Sequence, residues 1–329
     1  MRAIITATGH YAPANILTNK DLEKMVDTND EWITSRTGIK ERRILDKDKG
    51  TSFMAVRAAR MALEQRCMAP DELDLIIVAT VTPDSPVPTT AALVQKELEA
   101  GNCWGYDLNG GCTGFVCALA TASQFIASGF YRKALVIGAD KMSSIVDYED
   151  RNTCILFGDG AGAVILEASD SDTLGIEDFI LHLDGTGSQS LYMSGGGSLR
   201  PASFETVNQK LHYLYQDGRT VYKHAVTGMA DTSAQLLKRN HLSGRDIKLL
   251  VPHQANLRII EAVAGKLNLA KDQIVVNIDR YGNTTAATVP LALSEAHRDH
   301  RMGMGDPILI AAFGAGFTWG SLLLNWALE

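Results

Sequence analysis

Two rhythms of apolar and polar positions alternate along the chain. The first is the short, continuous, β-branched run. Residues 2–8, 73–82, 103–108, 134–139 and 161–166 read as strands, as do 247–251, 274–276, 308–312 and 321–327. The second is apolar spacing near 3.6. It predicts helices over 52–66, 90–98, 223–239, 257–267 and 289–297. Shorter helices are expected at 19–25, with Asn19 near an N-cap, and at 30–36. Residues 114–128 (GFVCALATASQFIAS) are apolar nearly all round, which predicts a buried helix. Pro83, Pro86 and Pro88 mark a loop, and polar, Gly-rich residues 185–218 read as an inserted region that shapes a mouth rather than a core.

The order of these elements repeats. DLIIVATV (74–81) and DIKLLV (246–251) each follow a helix-like stretch. Cys112 lies 38 residues after Asp74, and Asn283 lies 37 residues after Asp246. Strands alternating with helices imply a largely parallel sheet with helices on its faces, hence an α/β fold. Two such halves, residues 1–172 and 173–329, each with a helix buried between the sheets, imply a five-layer α-β-α-β-α stack. Pseudo-two-fold pairing would bring the loops around Cys112 and Asn283, together with His253 just past its strand, to one central site.

Composition narrows the class. The chain has 329 residues, 46% hydrophobic and 21% charged, enough apolar material for a large core. A net charge of −7 without a basic block argues against nucleic acid as a partner. No apolar run is long enough for a membrane span. The first residues read as a strand rather than a signal peptide, so a cytoplasmic protein is expected. Five scattered cysteines, at 67, 103, 112, 117 and 154, suit free thiols in a reducing compartment, and none has metal-site spacing.

Cys112 stands out. A strand ends before it, Gly110-Gly111 makes a turn, and a helix follows at once. A thiol at a helix N-terminus is expected to be stabilised as thiolate, with nearby amides available to an oxyanion. His253 and the Gln-Ala-Asn after it lie at a loop beyond a parallel strand, where α/β sites form. A thiol, an imidazole and an amide gathered together point to covalent acyl chemistry. His297 and His300 read as a solvated face. The Gly158-Asp-Gly-Ala-Gly162 string is followed by a strand, so it predicts close backbone packing rather than phosphate binding.

At these residues the chain resembles the β-ketoacyl-acyl-carrier-protein synthase III family of the thiolase-like superfamily. The resemblance spans essentially the whole length. It rests on Asp30-Glu-Trp32 through Arg36-Thr37-Gly38 to Arg42-Arg43, on GGCTGF, on Leu156-Phe157-Gly-Asp-Gly-Ala-Gly162, on Val251-Pro-His253-Gln-Ala-Asn256, on Tyr281-Gly-Asn283-Thr, and on Phe313-Gly-Ala315-Gly-Phe-Thr-Trp319-Gly.

The resemblance implies a thiolase-like fold and the initiating condensation of type II fatty acid synthesis. An acyl-CoA primer would acylate Cys112. Malonyl-acyl carrier protein would then lose CO2 and attack the thioester, with His253 and Asn283 donating to the enolate. The amides of Cys112 and Ala315 would form the oxyanion hole. Trp32 and Arg36 resemble the clamp on the CoA adenine, with Thr37, Arg151, Asn152, Gly218, Tyr222, Ala255 and Asn256 along the channel. Val87, Met142 and Phe157 would shape the acyl pocket, Val87 by reaching across a homodimer. Arg258 and Lys266 resemble the surface that receives the carrier protein. No metal and no resident cofactor are expected.

The chain departs from that pattern at Gly110-Gly111, where alanines are usual, at Thr113, and at Val87, where many members carry an aromatic residue. These changes leave the primer open. A related acyltransferase or condensing enzyme of secondary metabolism is the alternative reading, and a non-catalytic acyl-CoA-binding partner is a second. Thiolase proper would need a late second cysteine, and none follows Cys154.

Overall fold

The computed structural model describes residues 1–329. Its two main sheets contain, in chain order, β1 (Arg2–Tyr11), β2 (Leu75–Ala79), β3 (Trp104–Leu108), β4 (Lys133–Lys141), β5 (Asp159–Ser169), β6 (Gly175–Leu183), β7 (Leu249–Pro252), β8 (Pro307–Gly314) and β9 (Thr318–Asn325). The first sheet runs β1-β5-β4-β2-β3 and the second β7-β8-β9-β6. Read from its other edge, the second sheet repeats the first. The edge strands β1 and β6 are antiparallel to β5 and β9, those are antiparallel to β4 and β8, and these run parallel to β2 and β7.

The repeat breaks at the place of β3. In the second half only Ile274 bridges Leu250, so the strand expected at 274–276 is a single bridge. The reason is competition for its carbonyls. The Arg301 guanidinium takes that of Ile274 at 3.0 Å, and the Gln254 side chain takes that of Val275 at 3.0 Å.

Six helices complete five layers: α1 (Thr51–Arg66), α2 (Thr90–Leu98), α3 (Gly114–Ala127), α4 (Gly218–Arg239), α5 (Leu257–Lys266) and α6 (Thr288–Arg298). α1 and α2 cover the outer face of the first sheet, and α4 and α5 that of the second. α3 and α6 lie between the sheets. β2 shows why its sequence is continuously apolar. Leu75, Ile77 and Ala79 face the central layer, while Ile76 and Val78 face α1 and α2.

Close packing explains the Gly158–Gly162 string, as expected. A Cβ at Gly162 would lie 2.5 Å from the Leu291 nitrogen of α6. The solvated reading of His297 is corrected: its ring packs on Trp326 and its Nε2 lies 3.0 Å from the Gln65 amide. His300, past the helix end, is exposed.

Candidate active site

The first turn of the site follows β3. Asn109 and Gly110 lead into a three-residue 3-10 turn, Gly111–Thr113, and α3 starts at once. Gly111 has φ +56°. A Cβ there would lie 2.8 Å from the Ala315 nitrogen, so the two backbones need this close approach. Thr318 Oγ1 donates to the Gly110 carbonyl at 3.0 Å, and Thr113 Oγ1 donates to the Thr318 carbonyl at 2.9 Å. These bonds clamp the turn to the β8–β9 hairpin, which carries Ala315. Neither the N–H of Ala315 nor that of Cys112 is taken by a protein acceptor. Both are free to donate.

The second turn copies the first. Asn283 and Thr284 lead into the 3-10 turn Thr285–Ala287 and then α6. Thr285 has φ +53°, matching Gly111. The Thr285 N–H donates to Asn283 Oδ1 at 2.9 Å, and the Gly111 N–H reaches Asn109 Oδ1 at 3.5 Å. Asn283 is therefore the structural counterpart of Asn109, and Cys112 that of Ala286. The sequence spacing had set Asn283 opposite Cys112; the register differs by three residues. Because Oδ1 of Asn283 is an acceptor in this bond, its Nδ2 donors are left for the cavity. Bonds with Leu156 and Gly158 hold its backbone, at 2.8 Å and 3.0 Å.

His253 follows β7, its N–H bonded to the Ala311 carbonyl at 2.8 Å. Its Nδ1 lies 2.7 Å from Thr288 Oγ1, which also reaches the Thr285 carbonyl at 3.0 Å. Burial lowers His253 to about 3, so the imidazole is neutral. Burial, with the Asp140 carboxylate adding to it, pushes the Cys112 thiol up to about 12. The expected thiolate is thus corrected to a neutral thiol. A helix N-terminus favours the anion, but desolvation outweighs it here.

Cys112, His253 and Asn283 line the floor of one cavity of about 300 Å³. Trp32, Arg36, Thr37, Asn152, Gly218, Tyr222, Ala255 and Asn256 line the same cavity. The Arg36 and Arg151 guanidinium groups lie 4.8 Å and 4.9 Å from the Trp32 ring centre. Arg151 meets the cavity only through that contact. Asn256 ties the channel together: it caps α5 through the Arg258 N–H at 2.9 Å and donates to the Arg36 carbonyl at 3.0 Å. The inserted region contributes Leu191, Gln216 and Gly218 to this wall.

A second cavity, of about 250 Å³, lies on the other side of Cys112. Met142 and Phe157 line it, joined by Val81, Ile145, Met193 and Leu214. Val87 lines neither cavity of its own chain. It is 84% exposed in the proline loop, so a place in an acyl pocket would require a partner subunit's cavity. Arg258 and Lys266 are exposed on α5, whose Ile259, Ile260 and Val263 face the core.

Sequence reasoning missed Asp140 and Thr285. Asp140 is the penultimate residue of the buried strand β4, and an acidic residue there was a readable signal. Thr285 Oγ1 is buried beside the Cys112 sulfur, has no oxygen or nitrogen partner, and faces the second cavity; its conformation could not be read from an ordinary turn sequence.

Residues 106–185 match the 3-oxoacyl-[acyl-carrier-protein] synthase III family, and residues 237–326 match the C-terminal part of the same enzyme. The chain is 53% identical over 328 residues to β-ketoacyl-[acyl-carrier-protein] synthase III of Chlorobium chlorochromatii, covering 99% of this chain and 100% of the relative. It is 53% identical, with the same coverage, to the enzyme of that name from Chlorobaculum tepidum. The crystal structure of 3-oxoacyl-[acyl-carrier-protein] synthase III from Aquifex aeolicus superposes with a TM-score of 0.92 at 44% identity, covering 98% of this chain and 100% of that one. With its two thiolase-like halves and a thiol, imidazole and amide on one cavity floor, the chain belongs to the β-ketoacyl-acyl-carrier-protein synthase III family.

Proposed function

We propose that the protein catalyses the initiating condensation of fatty acid synthesis, with Cys112 as nucleophile and His253 and Asn283 as the decarboxylation pair. The observation that carries this reading is their shared place at the base of one channel. The channel mouth, with the Trp32 ring beside two guanidinium groups, suits the flat adenine of CoA.

The chemistry follows from the neutral pair. In acylation, His253 Nε2 accepts the Cys112 proton as sulfur attacks the acyl carbon of acyl-CoA. The oxyanion forms against the amides of Cys112 and Ala315. It collapses, and the proton passes to the departing CoA sulfur. In condensation, malonyl-acyl carrier protein loses CO2. Its enolate oxygen takes hydrogen bonds from His253 Nε2–H and Asn283 Nδ2–H. The carbanion attacks the acyl carbon, Cys112 leaves as thiolate and is reprotonated from solvent. CO2 loss supplies the carbanion, so this reading requires no resident cofactor.

The two steps ask for opposite tautomers of His253. Thr288 has one hydroxyl proton for two acceptors. Turned to the Thr285 carbonyl, it leaves Nδ1–H bonded to its oxygen and Nε2 free to accept. Turned to Nδ1, it leaves the imidazole proton on Nε2.

The primer reading rests on volume. A dry cavity of about 150 Å³ holds a benzene ring. The cavity behind Cys112 is larger and is lined mostly by hydrophobic residues, among them Met142, Ile145, Phe157, Leu191, Met193 and Leu214, which suits a medium-length or branched acyl chain better than acetyl alone. Carrier-protein docking is assigned to the exposed cations Arg258 and Lys266, close to the channel. A homodimer fits the open outer edge of β3, with Trp104 and Val87 exposed. No helix is long and apolar enough to cross a membrane, and a cytoplasmic setting fits the free cysteines. A primer series from C2 to C12 acyl-CoA with malonyl-acyl carrier protein tests the whole reading. Adducts on Cys112 and condensed products, best for primers beyond C2, are expected. An absence of any Cys112 adduct would overturn it.

A further inference from the structure

Asp140 is a fully buried carboxylate that the chemistry above does not use. It is the penultimate residue of β4, at the end of the strand nearest the site. All its partners are donors. Oδ1 takes Thr80 Oγ1 at 3.0 Å, the Val81 N–H at 2.8 Å, the Thr82 N–H at 3.2 Å and Thr82 Oγ1 at 3.0 Å. Oδ2 takes the Ala286 N–H at 3.0 Å. An acceptor-only group fits this nest, and an amide does not, because its NH2 would meet another donor.

The Ala286 N–H is the second half's copy of the Cys112 N–H. One copy is open to a substrate oxygen, and the other holds Asp140. The same carboxylate holds Val81, a wall of the acyl cavity. We propose that Asp140 is a positioning residue for condensation, its carboxylate filling the second nest and locking the Asn283–Ala286 turn against the nucleophile turn. This rests on the role assigned to Asn283.

The charged surroundings are simple. Cys112, across from the Ala286 turn, is the titratable group that feels Asp140. The Thr80–Thr82 segment and the 283–286 turn bring no ionisable side chain. Lys141, next in the chain, points away and donates to the carbonyls of Asp46, Lys47 and Lys49. His253 is neutral. Removing the Asp140 charge should therefore ease ionisation of Cys112 while loosening Asn283. A residue that merely stabilised the fold would not shift the two in opposite senses.

The test compares Asp140→Asn, Thr82→Val and Asn283→Ala in the full-length protein. Three rates are read: acyl transfer from acyl-CoA to Cys112, CO2 release from malonyl-acyl carrier protein, and iodoacetamide alkylation of Cys112 against pH. Asp140→Asn should lower CO2 release about 10²-fold, the order of loss for a misplaced reacting group. Its acyl transfer should stay within about tenfold of wild type, and its alkylation profile should move to lower pH. If Asp140→Asn does not fold, Thr82→Val decides, since it removes one donor and keeps the charge. A several-fold loss confined to CO2 release is then expected. Equal losses in both half-reactions, or no loss in either, would overturn the proposal. If Asn283→Ala leaves CO2 release intact, the role of Asn283 fails. If Asn283→Ala abolishes it and the other variants do not, only the inference about Asp140 fails.

Discussion

The turns at 109–113 and 283–287 have the same backbone and opposite uses. Each begins with an asparagine whose side chain bonds an N–H two residues on. Each then takes a positive φ and winds through one 3-10 turn into a central helix. In the first, the amide after the positive-φ residue is open and its side chain is a thiol. In the second, that amide is filled by Asp140 and the residue is Ala286. The amide side chain that the proposed mechanism uses in the second half sits three residues earlier, at Asn283. One backbone scaffold occurs twice; one copy presents a thiol beside an open amide, and the other fills that amide with a carboxylate and presents an asparagine side chain.

The sharpest way to break this comparison is to truncate both asparagines. Asn283→Ala should lower malonyl decarboxylation by about 10²–10³-fold, the loss expected for one removed donor. Asn109→Ala removes the weaker of the two equivalent backbone bonds and should cost less than about tenfold in either half-reaction. CO2 release with each variant decides it, and comparable losses would mean that the asparagines are equivalent in function as well as in form.

Thr288→Val should come next, with about a tenfold loss in the full cycle, the low end for a proton-transfer defect. It leaves Nδ1 without a hydroxyl to serve both tautomers. Thr288→Ser should restore the rate, and a variant at wild-type rate would remove the hydroxyl from the cycle.

Protonation sharpens the comparison further. Burial lowers the His253 value from its usual range to about 3, so the ring stays neutral as pH falls through 6.5. Its labelled imidazole signals should not titrate between pH 8 and 5. The Cys112 thiol, pushed up to about 12, should show an alkylation rate still rising at pH 9–10. A midpoint near 6.5 for His253, or a plateau below pH 8 for Cys112, would show that desolvation has been given too much weight.

The smallest effect is expected far from both turns. Arg258→Glu should weaken use of malonyl-acyl carrier protein several-fold and leave acylation by acyl-CoA near wild type, since a rim charge mainly steers association. The difference should shrink as salt rises. Losses in both half-reactions that ignore salt would speak against docking at α5.

Much of this was legible in the chain. β2 and β7 declared themselves as continuous apolar runs because both faces of each sheet are covered. Cys112 was marked by a strand, two glycines and a helix in immediate succession. The failures share a physical cause. The 274–276 run has strand composition, but its carbonyls go to Arg301 and Gln254, partners distant in sequence or reached only through a fold. The thiolate expected at Cys112 came from a local rule about helix ends, whereas burial depends on what the whole molecule packs around the thiol. Asp140 could be noticed as an acidic residue in a buried apolar strand, but what it binds could not be read: four of its bonds go to residues about 60 positions away, and the fifth, to Ala286, crosses to the other half.

Intact-mass analysis of a single turnover tests the two-turn account most directly. Wild type, Asn109→Ala and Asn283→Ala are each mixed with a medium-chain acyl-CoA and then with malonyl-acyl carrier protein. All three should gain one acyl group on Cys112. Wild type and Asn109→Ala should then lose it to condensed product, while Asn283→Ala should hold it. Discharge of the adduct at equal rates in both asparagine variants, or an adduct on any cysteine other than Cys112, would contradict the account.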